Sequence, residues 1–216
     1  MKKICVFTGG RAEYGLLRPL LYKLMKSKKI DLQLLVSGMH MCPEFGLTYK
    51  VIEEDGFKID EKVEMILSSD TPTSIAKSIG LGTISYSDAL ERLKPDMLLT
   101  LGDRFENFSI CSAAWCMRIP IAHIQGGELT KGAIDDQFRH CITKLSSLHF
   151  TATEEYRKRV IQLGENPSTV FNVGAINVES LMKVKAISKR KLEKMLDHEL
   201  NDQTCLVTYH PTTLDK

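Results

Sequence analysis

The 216-residue sequence contains no apolar run near the roughly 18 residues that span a bilayer. Behind Met1-Lys2-Lys3 the apolar stretch is only Ile4-Cys5-Val6-Phe7 before Gly9-Gly10, too short for a secretory signal, so the protein is expected to be cytoplasmic, with no membrane partner. Charge of one sign is also lacking. The 29 Lys+Arg residues against 27 Asp+Glu leave +2, which provides no clustered field for nucleic acid or an anionic lipid surface. The basic stretch Lys183, Lys185, Lys189, Arg190, Lys191 is interrupted by Glu193 and Asp197 and reads as a solvated helix face. Six cysteines are scattered without CxxC or a zinc-type Cys/His spacing; five lie in apolar runs, which predicts reduced and mostly buried thiols. Neither the dinucleotide GxGxxG nor a P-loop is present, and there is no repeat, low-complexity tract or Pro/Gly-rich linker.

What is present is 43% hydrophobic and 26% charged residues, enough to bury a core. Short apolar runs alternate with segments of helical period, the pattern of successive βαβ units in a parallel sheet. Strands are expected at 4–8, 32–36, 62–67, 97–101, 119–124, 148–151, 170–173 and 205–209. Leu16, Leu17, Leu20, Leu21, Leu24 and Met25 recur at helical spacing after the first strand. Further helices are expected at 48–54, from Thr71-Pro72 to about residue 93, at 105–117, at 134–145 with Ile134, Phe138, Ile142 and Leu145 on one face, at 154–163, and as a charged amphipathic stretch at 183–200. The fold class is α/β, a Rossmann-like, doubly wound parallel sheet with helices on both faces. A strand at 205–209 with no helix after it to cover its face suggests the start of a second domain. The expected organisation is therefore 1–178 as one domain, 179–203 as an interdomain helical segment, and 204–216 as the first strand of the next.

In such sheets ligands bind past the carboxyl ends of the strands, where helix N-termini converge. Four segments there carry suitable residues. Thr8-Gly9-Gly10-Arg11-Ala12-Glu13-Tyr14-Gly15 combines close backbone approach, a helix start and a guanidinium that can fork onto phosphate. Gly102-Asp103-Arg104 is either a helix cap with a surface ion pair or a ligand-facing pair. The stretch from His123-Ile124-Gln125-Gly126-Gly127-Glu128 to His140 is the richest; within it Asp135/Arg139 and Asp136/His140 are each four residues apart, on a helix face away from the apolar stripe. Tyr209-His210-Pro211 and Ser37-Gly38-Met39-His40 each offer a histidine able to meet phosphate or carry a proton.

Together TGGRAEYG (8–15), SGMH (37–40), RLKPDMLLTLGDRFE (92–106), HIQGGE (123–128), GAIDDQFRHCITKLSSLHFTAT (132–153), VFNVGA (170–175) and YHPTT (209–213) closely resemble the UDP-N-acetylglucosamine 2-epimerase family, in particular its hydrolysing branch that feeds sialic-acid and related nonulosonate synthesis. The resemblance implies two Rossmann-like domains, as in glycosyltransferases of the B type, with a UDP-sugar held between them and no metal or nicotinamide cofactor. The chain then corresponds to the first domain and the opening of the second, and would be inactive alone. A homodimer or homotetramer is implied.

The implied reaction removes the C2 proton, eliminates UDP in the anti sense to give a 2-acetamidoglucal, and adds water to release N-acetylmannosamine. Arg11 and Arg104 match UDP contacts, Asp103 and Asp135 match essential carboxylates, and His210 matches a histidine of the second domain at the nucleotide. Where many members have Glu, this sequence has Gln125, which cannot exchange a proton at neutral pH; Gln125 then hydrogen-bonds the sugar while Glu128 or an Asp does the proton work, or the substrate is a different sugar. Asp103, Asp135 and Glu128 are the catalytic candidates. Arg11, Ala12, Gly15, His40, Arg104, Gln125, Arg139 and His210 are the substrate-binding ones. UDP-GlcNAc is the first expectation for the substrate and the UDP-diacetamido-trideoxy sugar of bacillosamine type the second; a non-hydrolysing epimerase, a glycosyltransferase and a non-catalytic UDP-sugar-binding domain are the other readings.

Overall fold

In the computed structural model, which describes residues 1–209, the apolar runs form strands β1 (Lys2–Thr8), β2 (Ile30–Ser37), β3 (Glu61–Val63), β4 (Met97–Leu101), β5 (Ile121–Ile124), β6 (Leu148–Thr151) and β7 (Val170–Asn172). The periodic segments form helices α1 (Arg11–Met25), α2 (Tyr49–Glu54), α3 (Pro72–Leu93), α4 (Phe105–Cys116), α5 (Asp135–Leu145), α6 (Glu154–Gln162), α7 (Ile176–Lys183) and α8 (Lys189–Leu196). The strands lie in the order β3-β2-β1-β4-β5-β6-β7, every neighbouring pair parallel. The order reverses between β1 and β4. In a doubly wound sheet that reversal opens a crevice at the strands' carboxyl ends.

Both sheet faces are buried, and alternate residues of one strand therefore serve different cores. Cys5 and Phe7 of β1 pack with Tyr86, Leu90, Ile110 and Ile142 from α3, α4 and α5. Val6 between them packs with Leu17 and Leu21 of α1 and Ile52 of α2. Polar groups inside are tied down: the Tyr86 hydroxyl donates to Ser37 Oγ at 2.8 Å, and Ser37 Oγ donates to the Val63 carbonyl at 2.5 Å. Thr71 caps α3 by accepting from the Ser74 N–H at 3.3 Å, Pro72 follows at the first helical position, and Lys94 ends the helix in the left-handed region. No described helix is long and apolar enough to cross a membrane.

Several expectations are corrected. The third strand stops at Val63 because its partner β2 ends at Ser37, and β3 is a sheet edge with no second neighbour. Residues 205–209 form no strand; Leu206 and Val207 are 94% and 83% exposed, since an apolar run with no partner has no ladder to join. The stretch 183–200 is not one helix: α7 ends and α8 begins only at Lys189, stopping before Asp197 in the left-handed region. α7 itself was not anticipated. Ile134 lies outside α5 and is exposed, so the apolar stripe begins at Phe138. Of the cysteines only Cys5 and Cys111 are buried; Cys116, Cys141 and Cys205 are exposed because they sit on the outer faces of their elements or in open chain. His210 and the segment after it lie outside the described residues.

Candidate functional site

The loops after β1, β4 and β5 meet in one cleft of about 400 Å³ at the order reversal. Ala12 and Glu13 enter from the start of α1, Asp103 and Arg104 from the turn into α4, Gln125 and Glu128 from the loop after β5, and Asp135 and Arg139 from α5. The first N–H groups of a helix have no intrahelical acceptor, so α1 and α4 open toward the cleft with donors and partial positive charge.

Two features of the sequence build the loop after β5. His123 is fully buried, with Nε2 2.8 Å from the Gly102 carbonyl and Nδ1 3.2 Å from Thr143 Oγ1, which ties the β5 end to the turn that carries Asp103. Burial lowers its pKa to about 4, so the ring is neutral and serves as a strut. Gln125 holds a φ of 64° and Gly127 a φ of 81°. A Cβ on Gly127 would stand 2.5 Å from the Tyr156 carbonyl oxygen, so glycine alone fits there.

Arg139 organises the carboxylates. The residue is 5% exposed, and its guanidinium donates to Asp103 Oδ2, to Thr130 Oγ1 at 2.9 Å and to Asp136 Oδ1 at 3.4 Å. Asp136 also accepts from the Thr130 N–H at 2.7 Å, so the loop from Glu128 to α5 is pinned at both ends. Asp135, four residues before Arg139, is left lining the cleft, while Arg139 pairs with Asp136 and Asp103. Burial raises the Asp103 pKa, opposed by Arg139 and reinforced by Asp135. Glu128 is raised by burial as well, with Arg139 opposing and Asp103 reinforcing. Burial thus makes Asp103 and Glu128 readier to hold a proton than freely solvated carboxyls, as groups that exchange one must be.

Asp103 and Arg104 do not pair with each other. Arg104 stands at the N-terminus of α4, where its Nη2 and Nε meet Glu106 at 3.1 and 3.2 Å. Glu106 is wholly buried, whereas the Arg104 side chain keeps a third of its surface open to the cleft. The guanidinium is thus oriented from behind and free in front for an anion. Glu106 and Glu13 are site residues that the motif reading left unremarked; the carboxylates flanking each arginine, at RAE and DRFE, were the available signal.

Three expected residues stand elsewhere. His40 is wholly buried behind α1, its ring nitrogens 3.1 Å from Thr8 Oγ1 and 2.7 Å from Thr48 Oγ1, with burial lowering its pKa to about 4. It braces the glycine turn from inside. Gly38 takes part in the same contact: a Cβ there would meet the Gly9 carbonyl oxygen at 2.6 Å. Arg11 and Gly15 lie on the exposed side of α1 and do not line the cleft. Among the described residues no three His, Cys, Asp or Glu side chains are arranged to hold a metal ion.

Residues 22–216 match the protein family described as UDP-N-acetylglucosamine 2-epimerase. The chain belongs to this family. Over 214 residues, 99% of this chain, it is 46% identical to a GDP/UDP-N,N'-diacetylbacillosamine 2-epimerase (hydrolyzing) of Campylobacter jejuni. Over 99% of the chain it is 42% identical to the polysialic acid biosynthesis protein P7 of Escherichia coli. It covers 56% and 54% of these relatives, about half the length of each. Among solved structures, the UDP-GlcNAc 2-epimerase from Neisseria meningitidis bound to UDP-GlcNAc superposes with a TM-score of 0.73 at 23% identity, over 91% of this chain and 51% of that one. The epimerase fold, with helices on both faces of a parallel sheet, is that of this chain.

Proposed function

We propose that this chain provides the carboxylate-bearing half of a hydrolysing UDP-sugar 2-epimerase. The observation that carries the reading is the convergence of Asp103, Glu128 and Asp135 with Arg104 in one cleft at the strand-order reversal. The sugar's C2 proton is weakly acidic and the departing diphosphate is strongly anionic. The first demands a placed base, the second a placed cation. In this reading one of the three carboxylates takes the C2 proton, the C1–O bond breaks with its electron pair leaving on UDP, and Arg104 and the helix N-termini stabilise that charge. The resulting 2-acetamidoglucal gains a proton at C2 from the other face while water supplies hydroxide to C1. The free sugar released has C2 inverted.

Gln125 cannot act as acid or base and serves as a hydrogen-bond partner for the sugar. Residues 1–178 form the nucleotide-sugar domain, 179–203 a connecting segment, and 204–216 the opening of a second domain whose pairing the isolated run at 205–209 lacks.

The name of the Campylobacter relative reverses the order of substrates expected from motifs and favours UDP-2,4-diacetamido-2,4,6-trideoxyglucose over UDP-GlcNAc. The family's description, UDP-N-acetylglucosamine 2-epimerase, keeps UDP-GlcNAc as the second reading. Proton NMR of the full-length protein with each UDP-sugar in D2O tests both. Free sugar deuterated at C2 together with UDP is the expected product from the diacetamido substrate. Free N-acetylmannosamine formed faster from UDP-GlcNAc reverses the ranking. Consumption of neither sugar refutes the hydrolysing activity, and UDP bound without turnover leaves a binding domain.

A further inference from the structure

One group in the cleft has no part in the proposed chemistry. Glu13, the third residue of α1, is 6% exposed yet lines the cleft beside Arg104 and Asp103. Its Oε2 accepts the Gly9 N–H at 2.7 Å, while Oε1 is enclosed and has no hydrogen-bond partner among the described residues. Buried polar atoms are normally paired, so an orphan at the wall of a cleft marks a place for a ligand atom. Among the described residues no cation is bonded to Glu13: the neighbouring Arg104 is engaged by Glu106. The charged and titratable groups facing Glu13 are Arg104, Glu106 and Asp103 on the turn into α4 and α4 itself, and the Tyr86 hydroxyl of α3, which donates to Ser37. Burial is the largest influence and raises Glu13 to about 8; the Gly9 N–H and Arg104 oppose it, and Glu106 and Asp103 add to it.

We propose that Glu13 Oε1–H donates a hydrogen bond to an oxygen of the diphosphate bound in this cleft, which makes Glu13 a positioning residue for the anion. The inference rests on the UDP-sugar reading and adds to it a carboxyl that works only while protonated. In that form Oε2 keeps the Gly9 N–H and Oε1 becomes a donor. Once ionised, Oε1 presents a negative charge to the diphosphate, so ligand affinity is lost as pH rises through the folded value.

Calorimetric titration of UDP into the full-length protein from about pH 7 to about pH 9 tests this. The wild type should lose affinity roughly tenfold across that range, following the protonated fraction of a group near 8. Glu13→Gln keeps a donor and cannot ionise, and its affinity should not depend on pH there. Glu13→Leu, without a donor, should bind roughly tenfold more weakly than Glu13→Gln at pH 7. A wild-type affinity that does not change with pH, a Glu13→Gln slope equal to that of the wild type, or equal binding by the Leu and Gln variants overturns the inference alone. A wild type that binds no UDP at any pH overturns the UDP-sugar reading and this inference with it.

Discussion

Arg139→Met removes the one guanidinium that Asp103, Asp136 and Thr130 share. Breaking one side of a buried ion pair costs about 3–5 kcal/mol because the remaining carboxylate is left unpaired, whereas an exposed pair contributes about 0–1 kcal/mol. The Asp103 and Asp136 side chains retain 23% and 19% of their surface, so water offsets part of the loss. The expected destabilisation is about 2–3 kcal/mol, read by urea denaturation at neutral pH. A double-mutant cycle with Asp103→Asn should recover about 1–2 kcal/mol of coupling. The effect also carries a sign in pH. Arg139 opposes the burial that raises Asp103, so in the variant the Asp103 pKa rises further. A carboxyl whose folded pKa lies above its unfolded one withholds stability once pH exceeds the unfolded value, and that penalty disappears as it is protonated. The loss caused by Arg139→Met should therefore shrink as pH falls toward about 4. A loss below about 0.5 kcal/mol with no coupling, or one unchanged on acidification, refutes this account of the clamp.

The same cleft yields further expectations. Gly127→Ala must hold a left-handed φ and press a methyl against the Tyr156 carbonyl, at a cost of about 2–4 kcal/mol or roughly 5–15 °C in Tm; an unchanged melting curve would show that the loop relaxes freely. Glu13 rises from 4.5 to about 8 on folding, so it withholds stability increasingly between those values. Glu13→Gln should accordingly gain about 4 kcal/mol over the wild type at pH 8 and nothing below about pH 4, and equal denaturation midpoints at both pH values would contradict the burial argument. Asp103→Asn should lower turnover by at least about 100-fold with the fold retained by circular dichroism; wild-type rates would remove Asp103 from the proton transfers. Arg104→Ala should weaken UDP binding by about 1.5–3 kcal/mol, and unchanged affinity would place the guanidinium outside the anion site.

Much of the fold was legible because its signals are local. The run at 97–101 matches β4 residue for residue, flanked by Lys94-Pro95-Asp96 and Gly102, and Thr71-Pro72 opens α3 where the capping chemistry places it. The boundaries that moved depend on partners: β3 is as long as β2 permits, and residues 205–209 lack any strand to pair with. The site divides the same way. The glycine turns and the acidic and basic residues past β1, β4 and β5 were visible as types at strand ends. Their partners were not, since Asp103 meets Arg139 from 36 residues away and His40 turns inward to Thr8.

The amino-acid order alone determined the alternation of strand and helix, the continuous apolar runs of a sheet covered on both faces, and the family, because each rests on the order of residues along the chain. Tertiary structure alone decided which charges neutralise one another and which stay open. Arg104 is held by Glu106 and faces the cleft, Arg139 is enclosed among carboxylates, and Glu13 is buried with one oxygen unpaired among the described residues. These differences arise from desolvation and from contacts between distant segments, and neither is a property of a residue or of its neighbours in sequence.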